Sequence, residues 1–127
     1  MSFTLIDMGA ENFEMQASVW QWKAALEVIK SLDVIGEGAI RQMTYAGTGV
    51  KVSLDDAHML GEKIRSTILP KLAPNKRIFA DLSITDAQDD MTLHRDGDEQ
   101  WKNYSVSHDW LAEFAEFCLK SKGFQVF

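Results

Sequence analysis

The chain carries one cysteine, two prolines and no apolar run near the roughly 18 residues that a membrane-spanning helix requires. Each scarcity removes a class of protein. Cys118 has no second thiol in the chain to pair with, so the fold closes without an intrachain disulfide and suits a reducing compartment. The opening residues show no basic stretch leading into an apolar one; neither secretion nor membrane insertion is expected, and the cytoplasm is the expected location. Basic residues are also in deficit. Thirteen Lys and Arg against 19 Asp and Glu give a net charge of −6, which opposes phosphate backbones and argues against a nucleic acid partner.

What is present is ordinary for a globular protein. Apolar residues make up 46% of the 127 and charged residues 25%, which suffices for one core and not for two, so a single domain is expected. Phe3 and Leu5, then Phe13 and Met15, occupy alternate positions on either side of Gly9-Ala10-Glu11-Asn12, and this predicts a β-hairpin. Ser18 is placed to cap a helix over residues 19–32, in which Val19, Trp22, Ala25, Leu26, Ile29 and Leu32 share one face and Lys23, Glu27 and Lys30 the other. Trp20 breaks the pattern, because it projects with the polar residues.

Residues 40–45 and 50–53 flank Ala46-Gly47-Thr48-Gly49, whose glycines suit a tight turn, and together they predict a second hairpin. Ser53 and Asp56 form an S-x-x-D capping box for a second helix with Ala57, Leu60, Gly61, Ile64 and Ile68 on its apolar face, ended by Pro70 and Pro74. Ile78, Ala80, Leu82 and Ile84 alternate with Phe79, Asp81 and Ser83, favouring a strand, with a short helix as the alternative. Residues 85–104 read as a long acidic loop, a feature uncommon in compact domains. Ser107 opens a last helix with Trp110, Leu111, Phe114, Phe117 and Cys118 inward, Lys120 and Lys122 at its negative end and Gly123 at the C′ position; a strand over 124–127 follows. The fold class that buries all these faces is α+β, with about three helices packed on a small, mostly antiparallel sheet.

The run Tyr45-Ala-Gly-Thr-Gly-Val-Lys-Val-Ser-Leu-Asp-Asp-Ala-His-Met-Leu-Gly61, with Phe114-Ala-Glu-Phe-Cys-Leu-Lys-Ser-Lys-Gly-Phe124 downstream, resembles small uncharacterised bacterial proteins. Those share a Trp-bearing helix, a glycine hairpin, a "V-S-x-x-D-A" helix and a terminal "F-x-x-F-C…G-F" helix and strand. The matched residues are apolar, capping and turn types. The resemblance therefore implies a fold and no catalytic residue, and the acidic 85–104 segment has no counterpart in it.

No catalytic, metal or cofactor motif stands out. Gly47-Thr48-Gly49 lacks both the P-loop and the dinucleotide-binding spacing and reads as a turn. Asp55, His58 and Glu62 share a helix face at a spacing that suggests metal ligation, but that face lies opposite the apolar stripe, where solvated residues of the same types are common. His94 and His108 add no metal spacing. Cys118 lies on the core side near a helix C-terminus, where the dipole disfavours a thiolate.

The departure from a plain domain is charge placement. Residues 86–101 carry Asp86, Asp89, Asp90, Asp96, Asp98 and Glu99 against Arg95 alone, a net of −5, which leaves −1 for the rest of the chain. Residues 62–77 lean the other way, so a polarised surface is expected. Trp101 and Tyr104 follow the acids, and carboxylates beside aromatic rings attract cations. Asp96-Gly97-Asp98 lacks the rest of a calcium-loop ladder. The ordinary reading is a solvated loop kept soluble by charge.

Three functional expectations follow. The first is a non-enzymatic binding protein, inhibitor- or immunity-like, that engages a basic protein through Asp86, Asp89, Asp90, Asp96, Asp98, Glu99, Trp101, Tyr104 and Trp20. The second is a binder of a cationic small molecule. The third is a small hydrolase-type enzyme using Asp or Glu with His. No cofactor is implied, and an exposed Trp20 or an unpaired sheet edge offers a surface for a homodimer.

Overall fold

The computed structural model describes residues 2–87 and 97–127, with the backbone alone for 97–99. The chain opens with strands β1 (Ser2–Asp7) and β2 (Glu14–Ser18), antiparallel with Phe3 opposite Ala17 and Leu5 opposite Met15, as the alternation predicts. Ser18 ends β2 and caps α1 (Val19–Ser31). Its hydroxyl accepts from the Gln21 N–H at 3.1 Å, and the Gln21 side chain accepts from the Ser18 N–H at 3.0 Å, so two orphan donors are satisfied reciprocally. The buried stripe of α1 is wider than one face: Ala24 and Val28 join Trp22, Ala25, Leu26 and Ile29. The helix has neighbours on two sides, β1 and β2 on one and a second sheet on the other.

Over residues 40–45, where the sequence pattern favours a strand, the chain is helical: α2 runs Glu37–Met43. Ile40 and Met43, three apart, both turn inward, and the indole N–H of Trp22 donates to the Met43 carbonyl at 2.9 Å. Strand β3 (Val50–Val52) accordingly pairs with the C-terminal strand β7 (Phe124–Val126) instead of closing a hairpin. Gly47 and Gly49 still adopt the left-handed conformation at the turn, with φ of +82° and +68°.

Helix α3 (Leu54–Lys63) starts at Ser53, whose hydroxyl accepts from the Asp56 N–H at 3.2 Å; the full reciprocal box stands at α1. Ala57, Leu60, Gly61, Ile64 and Ile68 are buried as expected. The helix widens into a π-helical turn over Ile64–Ile68 and tightens into a 3₁₀ turn over Leu69–Lys71 containing Pro70, which has no N–H to continue the ladder. A Cβ on Gly61 would stand 2.8 Å from Leu119 Cγ and 2.9 Å from the Ala115 carbonyl oxygen. Glycine here permits close packing on α4 (His108–Lys120).

The single strand expected over 78–84 is a tight hairpin. Strand β4 (Arg77–Phe79) turns at Leu82, with φ of +72°, into β5 (Ile84–Thr85). Asp81 Oδ1 accepts from the backbone N–H and hydroxyl of Ser83, so the polar residues of the alternation serve the turn rather than a strand face. A 3₁₀ helix over Gly97–Asn103 precedes β6 (Ser105–Ser107), and Ser107 caps α4 by accepting from the Trp110 N–H.

Two antiparallel sheets result among the described residues, one ordered β2-β1-β7-β3 and one ordered β5-β4-β6. Phe3 and Leu5 on β1 share a face with Phe124 and Val126 on β7, because Leu5 pairs with Val126 and Asp7 with Phe124. Helices α1 and α4 cover that face, and α3 packs on α4. Phe114, fully buried, meets Trp22, Trp110 and Phe124 with ring centroids 5.2–6.2 Å apart. No helix among the described residues is long and apolar enough to cross a membrane.

The α4–β7 connection shows why inward polarity is tolerated. Asp7, in phase with Phe3 and Leu5, is buried, and its Oδ1 accepts from the Lys122 N–H at 2.8 Å. Gly123 has φ of +90° and sits two residues beyond the helix cap Ser121, one position later than the C′ site expected. A side chain on Gly123 would meet the Val52 carbonyl oxygen at 2.8 Å.

Candidate functional site

The acidic-aromatic segment is anchored by side chains outside it. Arg77 on β4 donates from Nε to the Ala87 carbonyl and from Nη1 to the Ser105 hydroxyl, both at 2.9 Å, while its guanidinium lies 4.7 Å from the Phe79 ring centroid. One cation therefore clips together the two places where the segment leaves and rejoins the second sheet. Trp101, half-buried, meets Phe79 edge to face at 5.3 Å and fixes the 3₁₀ helix to β4.

Tyr104 and Trp20, distant in sequence, come together. Their rings lie 5.3 Å apart at 33°, and the Lys23 ammonium sits 4.4 Å from the Tyr104 ring centroid. Trp20 remains 42% exposed even with Tyr104 packed against it. Asp86 is exposed directly after β5. Asp98 and Glu99 lie on the backbone of the 3₁₀ helix, and Asp89, Asp90 and Asp96 lie outside the described residues. Of the nine expected site residues, the structure thus unites Trp20 with Tyr104 and puts Trp101 on the same second-sheet layer.

The two described histidines do not converge. His58 Nε2 lies 3.3 Å from the Ser121 carbonyl at the end of α4, whereas His108 is the first residue of α4 and faces Asp109 at 3.4 Å. At 1.5 Å rise per residue the helix between them holds the two about 20 Å apart. His94 lies outside the described residues. Among the described residues no cluster of three or more His, Cys, Asp or Glu is placed to hold a metal ion. Cys118 is buried, and desolvation pushes its pKa far above the ordinary thiol value.

Sequence reasoning misses a cavity of about 450 Å³ between α1 and α2. Phe3, Trp22, Leu26 and Ile40 form its apolar floor. Its rim holds Lys23, Lys30 and Arg41 with Glu27 and Glu37, and Tyr104 closes one side. The cavity is invisible while residues 40–45 are taken as a strand, because α2 is its second wall. Once Ile40 and Met43 are placed on a helix, Arg41 turns toward the Lys23–Lys30 face of α1.

No family model, no curated protein and no solved structure matches this chain.

Proposed function

We propose that the protein is a non-enzymatic binding protein that docks a basic surface of another protein onto its acidic-aromatic segment, in the manner of an inhibitor or immunity protein. The observation that carries the reading is the concentration of a net −5 on residues 86–101, in a segment whose two ends Arg77 clips to the second sheet. A charged segment held at both ends loses less conformational entropy on docking than a free one, and charge of one sign steers an oppositely charged partner. The half-exposed Trp20, packed at a tilt against Tyr104, supplies the kind of aromatic surface that anchors protein interfaces.

A cationic small molecule has weaker support, since the Tyr104 ring already carries the Lys23 ammonium. An enzymatic role gains no support from the two described histidines, because His58 on α3 lies beside the end of α4 and His108 opens that helix.

The test is titration with an oligolysine peptide at rising salt. The expected result is saturable binding that weakens as ionic strength rises and falls by about tenfold when Asp86, Asp98 and Glu99 are changed together to Asn, Asn and Gln. Binding indifferent to both salt and these substitutions rejects the reading.

A further inference from the structure

We infer that the cavity between α1 and α2 is a binding site for a small amphipathic anion: an apolar tail seated on Trp22, Phe3, Leu26 and Ile40, with a carboxylate-like head held at the rim by Lys30 and Arg41. Apart from Tyr104, which closes one side of the cavity, the inference uses other residues than the acidic-aromatic segment and stands apart from the partner reading.

Size comes first. At about 450 Å³ the cavity lies within the 300–1,000 Å³ typical of small-ligand sites, and its floor is made of side chains that the fold already holds rigidly. The indole of Trp22 is fixed by its bond to the Met43 carbonyl, and Phe3 lies 5.8 Å from that indole. A tail entering the cavity meets a preformed apolar wall.

Charge then selects the head group. The chain as a whole has a net charge of −6, yet the rim carries three cations against two carboxylates. Lys23 leans on Tyr104, whereas the side chains of Lys30 and Arg41 have no ion-pair, hydrogen-bond or ring partner among the described residues. Both line the same cavity, Lys30 from α1 and Arg41 from α2. Glu27 and Glu37 limit the preference to a single negative charge. The Arg41 guanidinium supplies the planar pair of donors that suits a carboxylate.

The experiment compares decanoate with decylammonium, which share a tail and differ in the sign of the head. Binding to the full chain is followed through the Trp22 indole N–H resonance, which reports the cavity floor directly. Decanoate is expected to shift that resonance saturably and decylammonium to bind at least tenfold more weakly. Lys30→Gln and Arg41→Gln are each expected to weaken decanoate by about three- to fivefold, the modest effect of a rim-exposed charge, and Glu37→Gln to tighten it. All three side chains are exposed, so an unchanged thermal midpoint verifies that the variants stay folded. Equal binding of the two heads, stronger binding of decylammonium, an unmoved Trp22 resonance, or decanoate affinity indifferent to Lys30→Gln and Arg41→Gln would each overturn the proposal.

Discussion

The two sheets of this protein are held by different physics. The four-stranded sheet owes its place to burial: Leu5, Val126 and Phe124 on its inner face are at most 1% exposed and meet the aromatic cluster around Phe114. The second sheet buries Ile78 and Val106 and leaves Ile84 and the turn residue Leu82 about two-fifths exposed, and it depends on Arg77, the Asp81–Ser83 turn and the Trp101–Phe79 contact. Area removed from water is non-directional and large, whereas polar clips are directional and contribute about 1 kcal/mol each. The first kind of support suits a scaffold; the second suits a layer that carries a charged segment and presents it.

The contrast breaks most visibly at the core. Phe114→Ala opens a cavity where three other rings converge and should cost about 3–5 kcal/mol, read as a lowered midpoint in denaturant with both sheets lost together. Gly61→Ala, a change that usually stabilises an exposed helix, should instead cost about 1–3 kcal/mol, since its Cβ would press on Leu119 and on the Ala115 carbonyl. A neutral or stabilising result there would show that α3 and α4 can separate without penalty.

Arg77→Gln sharpens the comparison from the other side. It should cost no more than about 1 kcal/mol globally, yet speed exchange of the Phe79 and Ala80 amides by about tenfold while leaving those of β1 unchanged. The smallest effect concerns Cys118. Its thiol pKa is raised by burial, so the folded state holds the proton that the unfolded chain gives up. Stability from this group is therefore full below the ordinary thiol value of about 8.5 and declines as pH rises above it. The native chain should resist thiol alkylation at pH 9 and react promptly once unfolded.

Elements with long apolar periods were legible from sequence. The stripes of α1, α3 and α4 and the alternation of β1 repeat over enough residues to fix a period, and their caps at Ser18, Ser53 and Ser107 carry their own chemistry. Short segments were not. Residues 40–45 offer two inward side chains, Ile40 and Met43, whose single three-residue spacing is helical but too short to establish a period, and the alternation over 78–84 conceals a turn because Asp81 and Ser83 satisfy each other in place of a strand pattern. Asp7 was detectable in principle as a carboxylate in phase with Phe3 and Leu5. Of the candidate site, composition revealed the charge and the rings, but the Trp20–Tyr104 contact and the Arg77 clip join residues far apart in the chain and leave no local trace.

The central claim is that an apolar scaffold carries a second layer held by separable polar contacts. Native-state hydrogen exchange in low denaturant tests it most directly. The amides of β1 and β7 should exchange through global unfolding, with a steep dependence on denaturant, whereas the amides of Phe79 and Ala80, bonded to the Ser83 and Tyr104 carbonyls, should exchange through a cheaper opening that depends little on it. A single shared free energy and slope for both groups would contradict the account.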